Sequence, residues 1–183
     1  MAGATSSGKT TAAGWLLTTI PDSKRIFTIE NGSRELELVR EENGKVTNSV
    51  VHTLTRDSEN ERQRIDQIAL VDICLRFNPD ILVVGEMRGA EANAAQEAAR
   101  VGVAVLTTIH SNSCNSTYRR MMTLAKRKYN MDDSILLQIM VEAYPIIVFT
   151  KQLEDRSRKI MEIIEGEDYQ DGRLIAHSLY KYE

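Results

Sequence analysis

The stretch Gly3-Ala4-Thr5-Ser6-Ser7-Gly8-Lys9-Thr10 decides how this 183-residue chain is read. It fits GxxxxGK[ST] at every fixed position. Glycines let the backbone curl so that successive N–H groups point inward, and such a nest binds phosphate oxygens. A helix starting near Gly8 adds the positive end of its dipole. In this geometry Lys9 reaches the β- and γ-phosphates, the Thr10 hydroxyl ligates Mg²⁺, and Thr11 touches the α-phosphate. A Gly/Ser/Thr-rich tail matching by chance is the competing reading, so the rest of the chain must arbitrate.

Downstream, the pattern predicts a helix over residues 10–19, stopped by Pro21. Strands are predicted at Arg25–Glu30, Leu36–Arg40 and Ser49–Leu54, the last two around a turn at Glu42–Gly44. Apolar residues at Ile65, Ile68, Ala69, Ile73 and Phe77 keep helical spacing, which predicts a helix over Glu61–Phe77, ended by Pro79. Ile81–Val84 is wholly apolar, as in a parallel strand buried on both faces. An alanine-rich helix follows at Gly89–Arg100, then a strand at Val103–Ile109. Helices are predicted near Ser116–Lys128 and Asp132–Tyr144. The tail reads as strands Ile146–Thr150, Arg158–Ile164 and Leu174–Tyr180, with turn signals at Glu154-Asp155 and Asp171-Gly172. The expected class is α/β, with a mostly parallel sheet, helices on both faces and an antiparallel C-terminal extension.

Three strand ends carry chemistry, because ligands of open α/β sheets sit at the carboxyl ends of strands. Glu86 ends Asp80-Ile81-Leu82-Val83-Val84-Gly85, where a carboxylate can polarise a water or help hold Mg²⁺. Glu30 ends the strand from Arg25, although a solvated turn before Asn31-Gly32 would look the same. His110 ends the strand after Thr107-Thr108, placed to sense a γ-phosphate. His52 and His177 have no such setting and read as surface or structural.

Bulk properties bound the rest. The length suits one domain over residues 1–183 with a full core. Net charge is −3 and aromatics make up 5% of residues, which disfavours direct nucleic-acid contact. The two cysteines, Cys74 and Cys114, are far apart and suggest neither a disulfide scaffold nor a zinc site. No apolar run approaches the roughly 18 residues of a spanning helix. Arg119, Arg120, Lys126, Arg127 and Lys128 make one predicted helix basic, either as a solvated face or as a surface for a neighbour.

Four segments in this order, GATSSGKTT, RIFTIENGSREL, LRFNPDILVVGEMRG and LTTIHSNS, resemble the Walker A loop, Asp box, Walker B strand and His box of the type II/IV secretion ATPase superfamily. Ile20-Pro21-Asp22, Thr28-Ile29-Glu30 and the tail FTKQLEDRSRKIMEIIEG look most like its Flp/Tad pilus assembly branch, the CpaF-like ATPases. The resemblance covers nearly the whole chain. It implies a RecA-like P-loop NTPase core that hydrolyses ATP with Mg²⁺. It also implies a homohexamer, cytoplasmic and peripheral at the inner face of the membrane, pushing on a platform protein.

Carried over by resemblance, Gly3, Thr5, Ser6, Ser7, Gly8, Lys9, Thr10 and Thr11 contact nucleotide, and Thr10 and Glu86 the metal. Glu86 is the Walker B acid, Glu30 the Asp-box acid and His110 the His-box residue. Arg88 is structural or inter-subunit, and Arg56 stands where the branch has an arginine that reaches phosphate. Two departures stand out: Asn31 replaces the usual second acid, and Val101-Gly102-Val103 replaces a usual Thr-Gly-His. The family's N-terminal domain and the strand before the loop are expected to be missing, leaving this polypeptide a marginal fold and a poor ATPase. A non-catalytic nucleotide-binding module and a conjugation-type ATPase are the other readings. An adenylate-kinase-like chemistry is disfavoured, since no arginine-rich lid is evident.

Overall fold

A computed structural model describes residues 1–89, 91–127, 130–170 and 173–183. Its sheet begins with a two-residue strand, β1 (Ala2–Gly3), that runs straight into the phosphate loop. Next come α1 (Lys9–Thr18), β2 (Arg25–Asn31), the hairpin β3 (Glu41–Glu42) and β4 (Lys45–Val46), and β5 (Ser49–Thr55). The middle of the chain holds α2 (Gln67–Arg76), β6 (Ile81–Val84), α3 (Glu91–Arg100), β7 (Ala104–Thr107) and β8 (Ile109–His110). Helices α4 (Cys114–Ala125) and α5 (Asp133–Ala143) lead to β9 (Ile146–Gln152), β10 (Arg158–Gln170) and β11 (Arg173–Lys181).

The strand order is β5-β2-β6-β7 in one sheet and β8-β1-β9-β10-β11 in the other. Only Thr108 separates β7 from β8, so the two sheets continue one another there. Pairing is parallel from β5 through β9 wherever neighbours bond, and antiparallel for β9, β10 and β11. This is the α/β class with an antiparallel extension that the sequence pattern leads to. Part of the slot expected to be vacant is filled by β1 itself. Ala2 pairs with Ile109 and Phe149, and Gly3 with His110 and Thr150.

One apolar cluster joins the strands to α2–α5 and includes Phe27, Leu82, Tyr118, Met121, Leu136 and Met140. A smaller one packs Leu17 of α1 against Ile26, Leu36, Leu38 and Val83. Among the described residues no helix is long and apolar enough to cross a membrane.

The structure corrects three sequence-based expectations. Leu36–Arg40 is not a strand. It lies along α1, burying Leu36 and Leu38, and the Arg40 guanidinium donates to the Leu17, Thr18 and Ile20 carbonyls at and just beyond the end of that helix, where carbonyls lack intrahelical partners. Instead of forming a ladder, the segment's backbone bonds scatter: Leu36 N to Glu30 Oε1, Leu38 O and Arg40 N to the Asn48 side chain, and Arg40 O to Thr47 N. The helix predicted over Glu61–Phe77 is a 3₁₀ turn, Glu61–Gln63, and then α2. Asp66 divides them by capping α2, its carboxylate accepting from Ala69 N at 2.9 Å. The predicted strand Val103–Ile109 is divided at Thr108, whose hydroxyl donates to Gly85 O at 2.7 Å. Lys128 and the turn Asp171-Gly172 lie outside the described residues.

Gly3 leaves no room for a side chain. A Cβ there would lie 2.4 Å from the Thr150 carbonyl oxygen and 2.5 Å from Ser7 Oγ. Backbone cannot rotate away as a side chain can. Gly3→Ala is therefore expected to destabilise the fold by about 1–3 kcal/mol, measured as a fall in the denaturation midpoint.

Candidate functional site

The strand order lines up the predicted site. Across the carboxyl ends run β2 with Glu30, β6 with Glu86, β8 with His110, and β1 with the phosphate loop. Adjacent strands lie roughly 4.8 Å apart, so neighbouring strand ends bring side chains into contact. Because β8 stands between β6 and β1, His110 lies between Glu86 and Lys9.

The loop is built by alternating backbone hands. Ser6 (φ 61°) and Gly8 (φ 92°) are left-handed, and Gly8 is the N-cap residue of α1. Ser7 Oγ and Thr150 Oγ1 are 2.9 Å apart in a buried bond, and Thr150 Oγ1 also reaches the Ala2 carbonyl at 3.3 Å. Arg158 holds the outside of the loop, its Nε donating to Ser6 O at 2.8 Å. Thr5 and Thr11 are exposed, and Thr10 faces a cavity of about 120 Å³.

Lys9 is buried, 8% exposed, and donates to Ala4 O at 2.8 Å. Its Nζ lies 3.5 Å from His110 Nδ1. An ammonium has only protons to give, so in the neutral ring Nδ1 accepts and Nε2 carries the proton. That nitrogen lies 3.0 Å from Glu86 Oε1, an oxygen buried without a hydrogen bond. Arg88 Nη2 reaches the other oxygen, Oε2, at 2.6 Å. The result is a continuous line Lys9–His110–Glu86–Arg88. Burial pushes the Lys9 ammonium below the usual lysine range, with Glu86 pulling the other way. The Arg88 hydrogen bond holds the Glu86 carboxyl below the usual glutamate range despite partial burial.

Glu30 lines the same cavity, but one of its oxygens is committed. Oε1 accepts from Glu35 N at 2.8 Å and Leu36 N at 2.9 Å, which fixes the segment after β2. Oε2 is buried without a hydrogen bond, 3.8 Å from His52 Nδ1. His52 is thus part of a buried group that includes Thr28 Oγ1 at 2.9 Å, while His177 pairs with Glu167 on the C-terminal hairpin. Asn31, the departure from the usual second acid, accepts from Gln67 Nε2 at 3.0 Å, and the same amide reaches Glu86 O at 3.2 Å. Arg56 is not brought to the cluster. Its backbone bridges Ile65, and its guanidinium donates to Gln63 O at 2.8 Å.

Sequence reasoning missed Thr108, Thr150 and Arg158, and gave Arg120 only as one of several basic residues. A second cleft, about 520 Å³, is bounded by Thr5, His110 and Arg120, so part of the basic face of α4 looks into the site. Elsewhere on that face Lys126 pairs with Asp133, and Arg127 donates to Arg88 O at 2.9 Å.

A family model described as "Type II/IV secretion system protein" matches residues 1–160. The uncharacterized protein MJ1287 of Methanocaldococcus jannaschii is 28% identical over 186 residues, spanning all of this chain and 64% of that protein. The protein transport protein HofB homolog of Haemophilus influenzae is 35% identical over 142 residues, 75% of this chain and 27% of that one. The crystal structure of the VirB11 ATPase from the Brucella suis type IV secretion system, in complex with sulphate, superposes with a TM-score of 0.72 at 25% identity. It covers 90% of this chain and 46% of that one. The chain therefore spans less than two thirds of the length of each of these proteins. It belongs to the type II/IV secretion system protein family.

Lys9 is a buried cation whose charge the fold does not fully repay. Lys9→Met keeps the stem and removes the charge. Its denaturation midpoint at neutral pH is expected to equal or exceed that of the natural protein, while binding of inorganic phosphate or ADP is lost. The check is denaturation and calorimetric titration on the same samples.

Proposed function

From that membership we propose that the chain is the ATP-hydrolysing domain of a secretion or pilus motor. The observation that carries the reading is the line Lys9–His110–Glu86–Arg88 beside a loop of phosphate-binding pattern. Lys9 and the backbone amides of Gly3–Thr10 bind the β- and γ-phosphates, and Thr11 contacts the α-phosphate. Glu86 orients the attacking water and accepts its proton, and His110 reads the γ-phosphate from between that carboxylate and the loop. Arg88 keeps Glu86 ionised and pointed. Glu30 shapes the wall of the cavity through its grip on Glu35 and Leu36.

Thr10 and Glu86 face one cavity. Among the described residues no group of three or more His, Cys, Asp or Glu could hold a metal unaided. Such a sparse set fits Mg²⁺, which is commonly held by one or two protein groups together with substrate phosphates. Bound there, it supplies charge neutralisation across the phosphates.

The wider reading rests on motif resemblance. The domain works in a homohexameric ring at the cytoplasmic face of the inner membrane, converting hydrolysis into work on a platform protein. Its segments are most like those of Flp/Tad pilus assembly ATPases.

The test is steady-state ATP hydrolysis with Mg²⁺ for the natural sequence and Glu86→Gln, with mass measured in parallel. Glu86→Gln is expected to cut turnover at least a hundredfold while ATP binding stays within about threefold. Binding without turnover in the natural sequence, in every oligomeric state, would sink the motor reading and favour a nucleotide-gated assembly module.

A further inference from the structure

Arg158 sits 152 residues from the loop it touches, on the first position of β10. Pairing fixes its place. Gly3 is level with Thr150, Thr150 with Ile160, and Arg158 with Gln152, so β9 and β10 continue past the end of β1 alongside the phosphate loop. The connection before it is tight. Leu153 N donates to Ser157 O at 2.8 Å, Arg156 N to Leu153 O at 3.0 Å, and Ser157 N to Asp155 Oδ1 at 2.9 Å. From that anchored position the side chain crosses the loop. A Cβ on Gly8 would lie 3.0 Å from Arg158 Cδ, and Nε donates to Ser6 O.

The consequence follows from peptide planarity. The peptide between Ser6 and Ser7 is trans, so its C=O and N–H point in opposite directions. With the Ser6 carbonyl held outward by Arg158, the Ser7 N–H is held inward. It faces the Ala4 carbonyl at 3.3 Å, the same oxygen that accepts the Lys9 ammonium. That N–H bond is long and lies on the lysine's side of the loop, where an anion would collect donors. Ser6 is also a non-glycine residue in the left-handed region, a conformation that persists only when its surroundings impose it.

We propose that Arg158 is a positioning residue for nucleotide phosphate: clamping the Ser6 carbonyl from outside, it keeps the Ser7 amide turned toward the bound anion. Arg158 itself touches no phosphate. Gly8 is part of the same device, because any side chain there would displace the arginine. The inference rests on the nucleotide reading of the loop.

Arg158→Met retains the stem over Gly8 and removes the donor, and Arg158→Lys retains the charge without the planar fork. Binding of fluorescently labelled ADP is measured for both, for the natural sequence and for Lys9→Met, together with amide exchange across Gly3–Gly8. Arg158→Met is expected to weaken ADP roughly ten- to a hundredfold, the range that loss of a hydrogen bond from a charged group gives. Exchange at Ser7 should quicken, the denaturation midpoint should stay near the natural value, and Arg158→Lys, whose ammonium can also donate to the Ser6 carbonyl, should recover part of the affinity. The proposal is overturned if Arg158→Met binds ADP as the natural sequence does while Lys9→Met does not. It is equally overturned if Arg158→Met weakens ADP while exchange at Ser7 is unchanged, since the amide would then not be what Arg158 holds. If the natural sequence itself fails to bind ADP, the nucleotide reading has failed and this inference falls with it.

Discussion

The site depends on the parallel pairing of Ala2 and Gly3 between β8 and β9. Two residues of ladder decide where the phosphate loop starts, which way it faces and what flanks it. Because the neighbour on one side is β8, the first side chain across from the loop is His110. Because β8 continues β7, and β7 pairs with β6, the next acid along is Glu86. Because the neighbour on the other side is β9, Thr150 meets both Gly3 and Ser7, and Arg158 is brought over the loop by the β9–β10 register. A strand order other than this one would scatter the same residues.

That alignment solves an electrostatic difficulty. Lys9 is buried, and an isolated buried cation is costly. The line through His110 to Glu86 and Arg88 sets each polar group beside another, although Glu86 Oε1 stays buried without a hydrogen bond of its own. The balance is uneven. Glu86 has a guanidinium on one oxygen and an imidazole on the other, and its carboxylate is held below its ordinary range. Lys9 has one carbonyl, a longer contact to the His110 ring and a more distant carboxylate, and burial pushes its ammonium down. Around the loop itself Lys9 is the cation with the least compensation, while the acids Glu30, Glu35 and Glu86 gather in the adjoining cavity.

The loop, the strand ends at Glu30, Glu86 and His110, and the change to antiparallel strands after Ile146 were all legible in the sequence, because each has a local signature. A GK[ST] turn, a wholly apolar run of four residues and a strand-ending acid announce themselves within ten residues. The failures also share a cause. Leu36–Arg40 has the alternation of a strand, and only the open carbonyls at the end of α1 draw Arg40 away from a ladder. Glu61–Phe77 has the spacing of a single helix, and only the cap at Asp66 divides it. Thr150 and Arg158 lie 143 and 152 residues from their partners in the loop. No pattern within either segment carries that contact. Arg56 shows the converse, where a motif position suggested a phosphate and the fold gave its guanidinium a carbonyl in its own connection.

The same long contacts make the loop and the C-terminal hairpin one mechanical unit. Arg158 meets the loop at one end of β10, and Gly166 meets the core farther along the same strand. A Cβ on Gly166 would lie 2.5 Å from Tyr118 Oη, and that hydroxyl donates to Tyr144 O at 2.7 Å. Gly166 N in turn donates to Pro145 O at 2.7 Å. β10 is therefore fixed both at the loop and at the α4–α5 layer, with β9 fastened between by Thr150. Closely packed interiors pass on small shifts instead of absorbing them. β10 therefore joins the Ser6 carbonyl at its first residue to the α4–α5 layer at Gly166. The opposite route, through His110 into α4, reaches Arg127 and its bond to the Arg88 carbonyl, back beside Glu86. Both sides of the loop are thus tied to elements beyond it, through Thr150 and Arg158 on one side and through His110 beside Glu86 on the other.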